Sequence, residues 1–404
     1  MRLRIYRTDA NKRDIAQHLP QPEPGTLSVR FGNDVLLFSS APELQRAATE
    51  IEVSKERMHV VVQNGRLFEQ HHPEVPVIHE RGRFLLVDID PEKARKLSDE
   101  NETCFGIFPL ADNEVVFDSR EKAARRAPLE FVQNLVDKVS RSTIEANLTT
   151  LTSLITRHST SSVYVEAVTL AVRQLKNLGY QTRLQSVTVG SGKSRNIIAD
   201  KPGEDNGTRE VVIATAHLDS INLEGGPQAP APGADDNGSG SAGVLEIARV
   251  FQKHRSKLDL RLILFGGEEQ GLFGSKRYVQ SLSQSERKRI RAVVNMDMIA
   301  SLNSDTRSVL LEGAPLSQAV IDGLSQAAET YTQLPVEVSL NPFASDHVPF
   351  INAQIPAVLT IEGADNANKR VHSARDSLDK IDFETAHEIL RMNVGFIAGE
   401  IGQG

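Results

Sequence analysis

Cys104 is the only cysteine in the 404 residues. This excludes an intramolecular disulfide and any cysteine-based metal cluster, so a bound metal must be held by His, Asp and Glu. Cys104 itself is expected to fill core space, because a free cysteine packs as a small hydrophobe. Also missing is any run approaching the ~18 uninterrupted apolar residues of a membrane span. The start, Met1 to Pro20, is charged and lacks the apolar segment of a signal peptide. The chain is therefore expected to stay in the cytoplasm, without a membrane partner. On that expectation the sequons at Asn101, Asn147, Asn206 and Asn237 read as coincidence. Basic residues number 46 against 53 acidic, a net of −7. With no long basic run, a surface that tracks nucleic-acid phosphates is excluded.

What is present fits a folded chain with a sizeable core. Apolar residues make up 39% and charged residues 25%, near the globular average. The length suggests two or three domains at roughly 100 to 200 residues each. Through residue 126, short apolar runs alternate with charged turns. Asp34–Phe38, His59–Val62, Phe84–Asp88 and Cys104–Leu110 read as strands, and Pro91–Asp99 has helical composition. Residues 1–126 are thus expected to form a smaller α+β domain, with Ser119–Arg126 as a linker.

From 127 to 404 the pattern becomes α/β. Leu129, Phe131, Val132, Leu135, Val136 and Val139 share one helical face, and a helix from Ser162 stops at Gly179. Nearly continuous apolar runs at Val211–Ala216, Leu260–Phe265, Val293–Met298 and Ala357–Ile361 predict strands buried on both faces. Helices are expected between them at 239–253, 271–282 and 316–332, with a last one over Phe383–Ile401. That alternation predicts a mostly parallel, helix-covered sheet.

Polar residues gather where these strands end, which is where ligands bind in open α/β sheets. His217 and Asp219 follow the first strand two residues apart. In extended chain they point the same way, so the carboxylate can hold a metal-binding imidazole. Pro232–Gly240 sets Asp235 and Asp236 in a glycine-rich loop that opens a helix, a setting suited to a bridging carboxylate. Glu268 and Glu269 follow the next strand and point apart, so one can bind metal while the other handles a proton. Asp297 lies inside a hydrophobic strand, where an unpaired charge costs several kcal/mol. His372 stands in a polar loop, with Asp376 nearby. The order His, Asp, Glu-Glu, Asp, His, at separations of 19, 32, 1, 28 and 75 positions, points to a metal site.

These motifs resemble those of zinc aminopeptidases of the bacterial leucyl-aminopeptidase type, within the co-catalytic di-zinc exopeptidases. The resemblance covers about residues 128 to 404. It rests on Ala216-His217-Leu218-Asp219-Ser220, Pro232–Gly240, Glu268-Glu269-Gln270-Gly271, Asn295-Met296-Asp297-Met298 and Val371-His372-Ser373. It implies two Zn2+ ions bridged by Asp236, with His217 and Asp297 on one ion and Glu269 and His372 on the other. Glu268 is then the general base and the Asp236-Asn237 peptide bond is cis, while Asp219, placed to hold the metal-binding imidazole of His217, is expected to be catalytic alongside Glu268. The implied substrate is a peptide with a free N-terminus. One departure stands out, because neither Pro342–Asp346 nor Val371 supplies the tyrosine that such enzymes often place near the developing oxyanion. Asp346-His347 is expected to be a structural cap.

Rival readings fare worse. Gly238–Gly243 matches a dinucleotide fingerprint, but it follows a loop rather than a strand and no acid lies 20 residues on. His79-Glu80 and His387-Glu388 lack the second histidine of a metalloprotease helix. A related amidohydrolase and carboxypeptidase group inserts a lid domain between its last two ligands, whereas predicted sheet elements fill the 75 positions here. A one-zinc glutaminyl cyclase, or a non-catalytic module of the same fold, is opposed by the complete ligand set. Oligomeric state, residue preference and the role of residues 1–126 leave no signature in the sequence.

Overall fold

The computed structural model describes residues 2–7, 27–32, 34–39, 50–63, 65–99, 105–111, 114–120 and 127–404. Cys104, Asn101 and positions 121–126 of the expected linker lie outside them. The N-terminal strands are β1 (Arg2–Arg7), β2 (Leu27–Phe31), β3 (Asp34–Ser39), β4 (Glu50–Glu52), β5 (Met58–Gln63), β6 (Val77–Arg81), β7 (Phe84–Asp88), β8 (Phe105–Pro109) and β9 (Glu114–Arg120). Those that follow are β10 (Gln181–Val189), β11 (Gly192–Lys201), β12 (Val211–His217), β13 (Asp259–Phe265), β14 (Ile290–Met296), β15 (Val309–Glu312), β16 (Val336–Ser339) and β17 (Ala357–Glu362).

The centre of the main sheet is parallel, in the order β13-β12-β14-β17, and every residue of β12 is buried. Burial on both faces explains why these strands read as unbroken apolar runs. On one face pack the helices Glu130–Val136, Arg141–Thr152, Ser162–Asn177, Gly240–Phe251, Gln318–Tyr331 and Phe383–Ile401. The other face is covered by Phe273–Ser281 and His347–Asn352, through Tyr278, Val279, Phe350 and Ile351. In the first of these helices Val132, Leu135 and Val136 are buried, as is Val139 beyond its end, while Leu129 at its start is exposed. Only part of the expected apolar face is therefore used.

The edges are antiparallel. β10 and β11 form a hairpin against β13, and β15 runs antiparallel to β17. Beyond β16 the same sheet continues into the N-terminal region as β9-β2-β3-β1-β4, with β9 antiparallel to β16. Ser119 of the expected linker lies within that pairing. A second, four-stranded sheet, β6-β7-β5-β8, carries the helix Pro91–Asp99, which supplies the α+β character expected of residues 1–126. An apolar cluster joins the two regions: Val29, Phe31, Val60, Val62, Phe84, Leu86 and Phe117 pack with Met298, Leu310, Leu359 and Ile361. No helix among the described residues is long and apolar enough to cross a membrane.

Candidate metal centre

β12, β13 and β14 run parallel, so their carboxyl ends open at one rim and carry His217, the Gly266–Gln270 loop and Asp297 there. β14 stops at Met296, which corrects the expectation that Asp297 lies inside the strand. The residue sits just past the strand end, and its amide donates to Thr360 O at 3.3 Å. The loop between Pro232 and Gly240 brings Asp236 up from below, through the cis Asp236-Asn237 peptide. The helix then starts at Gly240, where a Cβ would lie 2.5 Å from Met296 O and 2.4 Å from Asn237 Oδ1. That glycine in the dinucleotide look-alike therefore serves close packing.

Two triads of donor atoms result, His217 with Asp236 and Asp297, and Asp236 with Glu269 and His372. His217 Nε2 lies 3.2 Å from Asp236 Oδ1 and 3.2 Å from Asp297 Oδ1. His372 Nε2 lies 3.1 Å from Asp236 Oδ2 and 3.0 Å from Glu269 Oε2. The two oxygens of one carboxylate thus face different imidazoles. Neighbouring ligand atoms around a tetrahedral ion with ~2.0 Å bonds are about 3.3 Å apart, so both triads are close to ion-binding dimensions. Glu268 reaches the first triad from its side, with Oε2 3.9 Å from His217 Nε2.

The electrostatics tell of the same need for positive charge. Burial raises Glu269 to about 7, reinforced by Asp236 and opposed by His372. Burial likewise holds Glu268 well above the usual carboxylate range; His217 opposes this, and Asp346, Asp297 and Glu269 add to it. Burial works against charge on His217 and His372, yet the surrounding carboxylates raise both well above an ordinary histidine. Burial also works against ionised Asp236, but hydrogen bonds from the two imidazoles hold it low. Among the described residues, Glu269 Oε1 and His372 Nδ1 are buried without a hydrogen-bond partner. Clustered carboxylates and orphaned polar atoms are what cations would satisfy. Mixed imidazole and carboxylate donors fit zinc better than the all-oxygen preference of calcium or magnesium.

The surrounding shell holds these donors in place. His217 Nδ1 meets the main-chain oxygen of Asp219 at 3.1 Å, whereas the Asp219 carboxylate lies 3.7 Å away. That carboxylate instead accepts from the amides of Glu268 and Glu269, each at 3.3 Å. Asp219 therefore braces the loop bearing both glutamates. Asp376 accepts from the amides of Asp235 and Asp236 at 2.9 Å. Ser345 donates to Asp297 Oδ2 at 2.6 Å and is itself held by Asn295 at 2.8 Å.

Arg157, fully buried, donates to the carbonyls of Leu218, Pro232 and Gly233 and so ties two site loops together. Sequence reading missed Arg157 and Ser345, whose partners lie 48 to 76 positions away. Asp346 corrects the cap expectation. It occupies the N-cap position of His347–Asn352 without a side-chain cap, and its buried carboxyl is raised to about 7, chiefly by burial. Asn237 is buried, with its amide on Met296 O at 2.9 Å. His79 and His387 stand apart from both triads.

Comparison with known proteins places the chain among peptidases. The family model described as "Peptidase family M28" matches residues 196–397, which include all five donors and Glu268. A probable leucine aminopeptidase of Trichophyton verrucosum is 29% identical over 284 residues, covering 67% of this chain and 76% of that protein. Leucine aminopeptidase 1 of Fusarium vanettenii is 30% identical over 288 residues, covering 66% and 71% respectively. Among solved structures, the LapA aminopeptidase of Legionella pneumophila superposes with a TM-score of 0.62 at 20% identity, over 86% of this chain and 98% of that one.

Proposed function

The chain belongs to peptidase family M28, and from that premise we propose that it is a zinc-dependent aminopeptidase releasing single residues from the free N-terminus of peptides. The observation that carries this reading is Asp236, whose two oxygens lie 3.2 and 3.1 Å from His217 and His372. A carboxylate shared in that way calls for two ions, one with His217 and Asp297 and one with Glu269 and His372. When bound, such ions polarise the scissile carbonyl, acidify a water and accept a neutral α-amine.

The protein's own groups supply the rest. Glu268 takes the water's proton and passes it to the leaving amine, as the C–O bond forms and the C–N bond breaks. Its burial keeps the carboxyl basic enough for that exchange. Asp219 holds the amides of Glu268 and Glu269, and Asp376 holds that of Asp236, so donors and base keep their spacing before substrate arrives. A free α-amine has a lone pair to offer, whereas an acylated nitrogen has lost it to resonance. That difference favours attack from the N-terminus. The carboxypeptidase reading loses support because β15, β16 and β17 of the one sheet occupy the interval between Asp297 and His372, leaving no separate lid.

The test is Glu268→Gln in the zinc-loaded chain. Metal content and unfolding midpoint should hold, while turnover on a free N-terminal peptide falls at least ~100-fold. Near-normal turnover would remove Glu268 from the reaction. Acetylated peptides cut as fast as free ones, or residues appearing first from the C-terminus, would end the aminopeptidase reading.

A further inference from the structure

The two triads open into a cleft whose lining includes His217, Glu268, Asp297, Met298, Ser345 and Arg83. Arg83 comes from outside the family match, at the turn between β6 and β7. Arg81 pairs with Phe84 across that hairpin, so Gly82-Arg83 is a two-residue turn, with Gly82 at φ +59° as such turns require. A charged residue at a hairpin tip is normally solvated. This one is 2% exposed, and the only guanidinium or ammonium group among the described cleft-lining residues. Burying it costs several kcal/mol unless neighbouring carboxylates compensate the charge.

The surroundings fix where it sits. Arg83 Nη1 lies 3.8 Å from Glu312 Oε2, and Nε lies 3.8 Å from Asp365 Oδ2, separations that are Coulombic rather than hydrogen-bonded. Glu312 is itself held by the Phe343 amide at 2.9 Å. The hairpin is pinned beside the site by Asn366, which donates to Glu80 at 3.2 Å. Burial works against the charge on Arg83, but the fields of Glu312, Asp365 and Asp297 outweigh it.

We propose that Arg83 is a catalytic residue contributed by the N-terminal region, its guanidinium donating to the scissile carbonyl oxygen as that oxygen gains negative charge. The proposal rests on the aminopeptidase reading. Arg83 shares its cleft with Glu268, which must address the carbon of that same carbonyl. A preformed anion, such as a substrate carboxylate, would meet Glu312 and Asp365 on arrival. A carbonyl oxygen arrives neutral and is charged only in the transition state, when a fixed donor is worth most.

The test uses the full zinc-loaded chain with an amino-acid p-nitroanilide, which has no carboxylate to confuse the two roles. In Arg83→Met, kcat should fall about 10²- to 10³-fold with KM changed less than about threefold, as for loss of one oxyanion donor. Arg83→Lys should recover part of kcat and serves as the folded variant if the methionine form fails to fold. Binding supplies the readout that a structural role would not move. In either variant, an α-aminophosphonate resembling the tetrahedral state should lose at least ~10-fold in affinity, while leucine loses less than about threefold. Affinities for both falling equally, or KM rising with kcat intact, overturns the proposal. A wild-type chain that releases nothing from a free N-terminus sinks the aminopeptidase reading instead, and the proposal with it.

Discussion

The two regions that meet at the cleft are built by different rules. In residues 127–404 the chemical groups sit at the carboxyl ends of parallel strands, and polar tethers hold them: Arg157 on three carbonyls, Asp376 and Asp219 on two amides each, Ser345 on Asp297. The N-terminal region meets that rim mainly through an apolar cluster around Val60, Phe84, Leu86 and Phe117, with Arg83 as the one cleft-lining charge among its described residues. Polar tethers fix atoms to within a hydrogen-bond length, as an ion site demands. Apolar packing fills volume and tolerates exchange, as suits a wall.

If metal binding is confined to the first region, the largest effect comes from its histidines. His217→Ala or His372→Ala should each cost about one bound ion and nearly all turnover, because metal binding needs every donor of its set. His71→Ala and His72→Ala, at the end of the short helix Leu67–His71 and just past it, should leave zinc content unchanged. Elemental analysis of the four purified variants checks this. A loss of zinc in either N-terminal variant would break the division.

Next in size is a contrast in how the regions are held. Arg157→Met keeps much of the bulk but strands three buried carbonyls and removes a buried guanidinium whose charge is felt by Asp376, Asp219, Glu269 and Asp236. We expect a loss of about 3–5 kcal/mol in denaturant unfolding. Leu86→Met, fully buried in the apolar cluster, conserves volume and should cost less than about 1.5 kcal/mol. Similar losses in both would mean that the N-terminal region is as exactingly held as the centre.

How much of this could be read beforehand follows from the same division. The strands of the parallel centre and the order His217, Asp236, Glu268-Glu269, Asp297, His372 were legible, because burial on both faces leaves apolar runs and donors stand where those runs stop. The hairpin β10–β11 was not, since much of β10 is exposed and its sequence, Gln181–Val189, is mostly polar. Arg157, Ser345 and Arg83 left no local trace. Their partners are set by tertiary contact, and a buried arginine looks in sequence like any surface arginine. The continuation of one sheet through β9 and β16 was hidden for a like reason: β16 has only four residues, and the two strands pair across more than 200 residues.

A third effect crosses the boundary between the regions. Asp365 lies against Arg83, and its carboxyl is raised to about 6, by burial first, with Arg83 opposing and Glu312 adding. The folded chain therefore holds this proton more tightly than the unfolded chain, where an aspartate titrates near ~3.9. The stabilising contribution is full below about pH 4 and is lost as pH rises through about 6, some ~3 kcal/mol in all at 1.36 kcal/mol per unit. Asp365→Asn cannot ionise. Between pH 4 and 7 its stability relative to the parent should improve by about that amount in the metal-free chain. Parallel curves of unfolding free energy against pH would show that Asp365 ionises freely.

The smallest effect tests whether the polar tethers set geometry or only stability. Ser345 donates to Asp297 Oδ2 at 2.6 Å, while Asp297 Oδ1 faces His217 at 3.2 Å. The hydroxyl thus selects which carboxylate oxygen is turned toward the first triad. In Ser345→Ala the carboxylate can rotate, and the Asn295 amide, which reaches Ser345 at 2.8 Å, loses its acceptor. Partners of this kind typically contribute 10- to 100-fold in metal affinity, so competition with a chelator should show about that loss for one ion and little for the other. Thermal unfolding should change by only a few degrees, because one buried hydrogen bond is worth about 1 kcal/mol. Loss of affinity at both ions together would mean that the triads act as a single unit through Asp236. No loss at either would mean that packing around Met296 and Met298 alone orients Asp297.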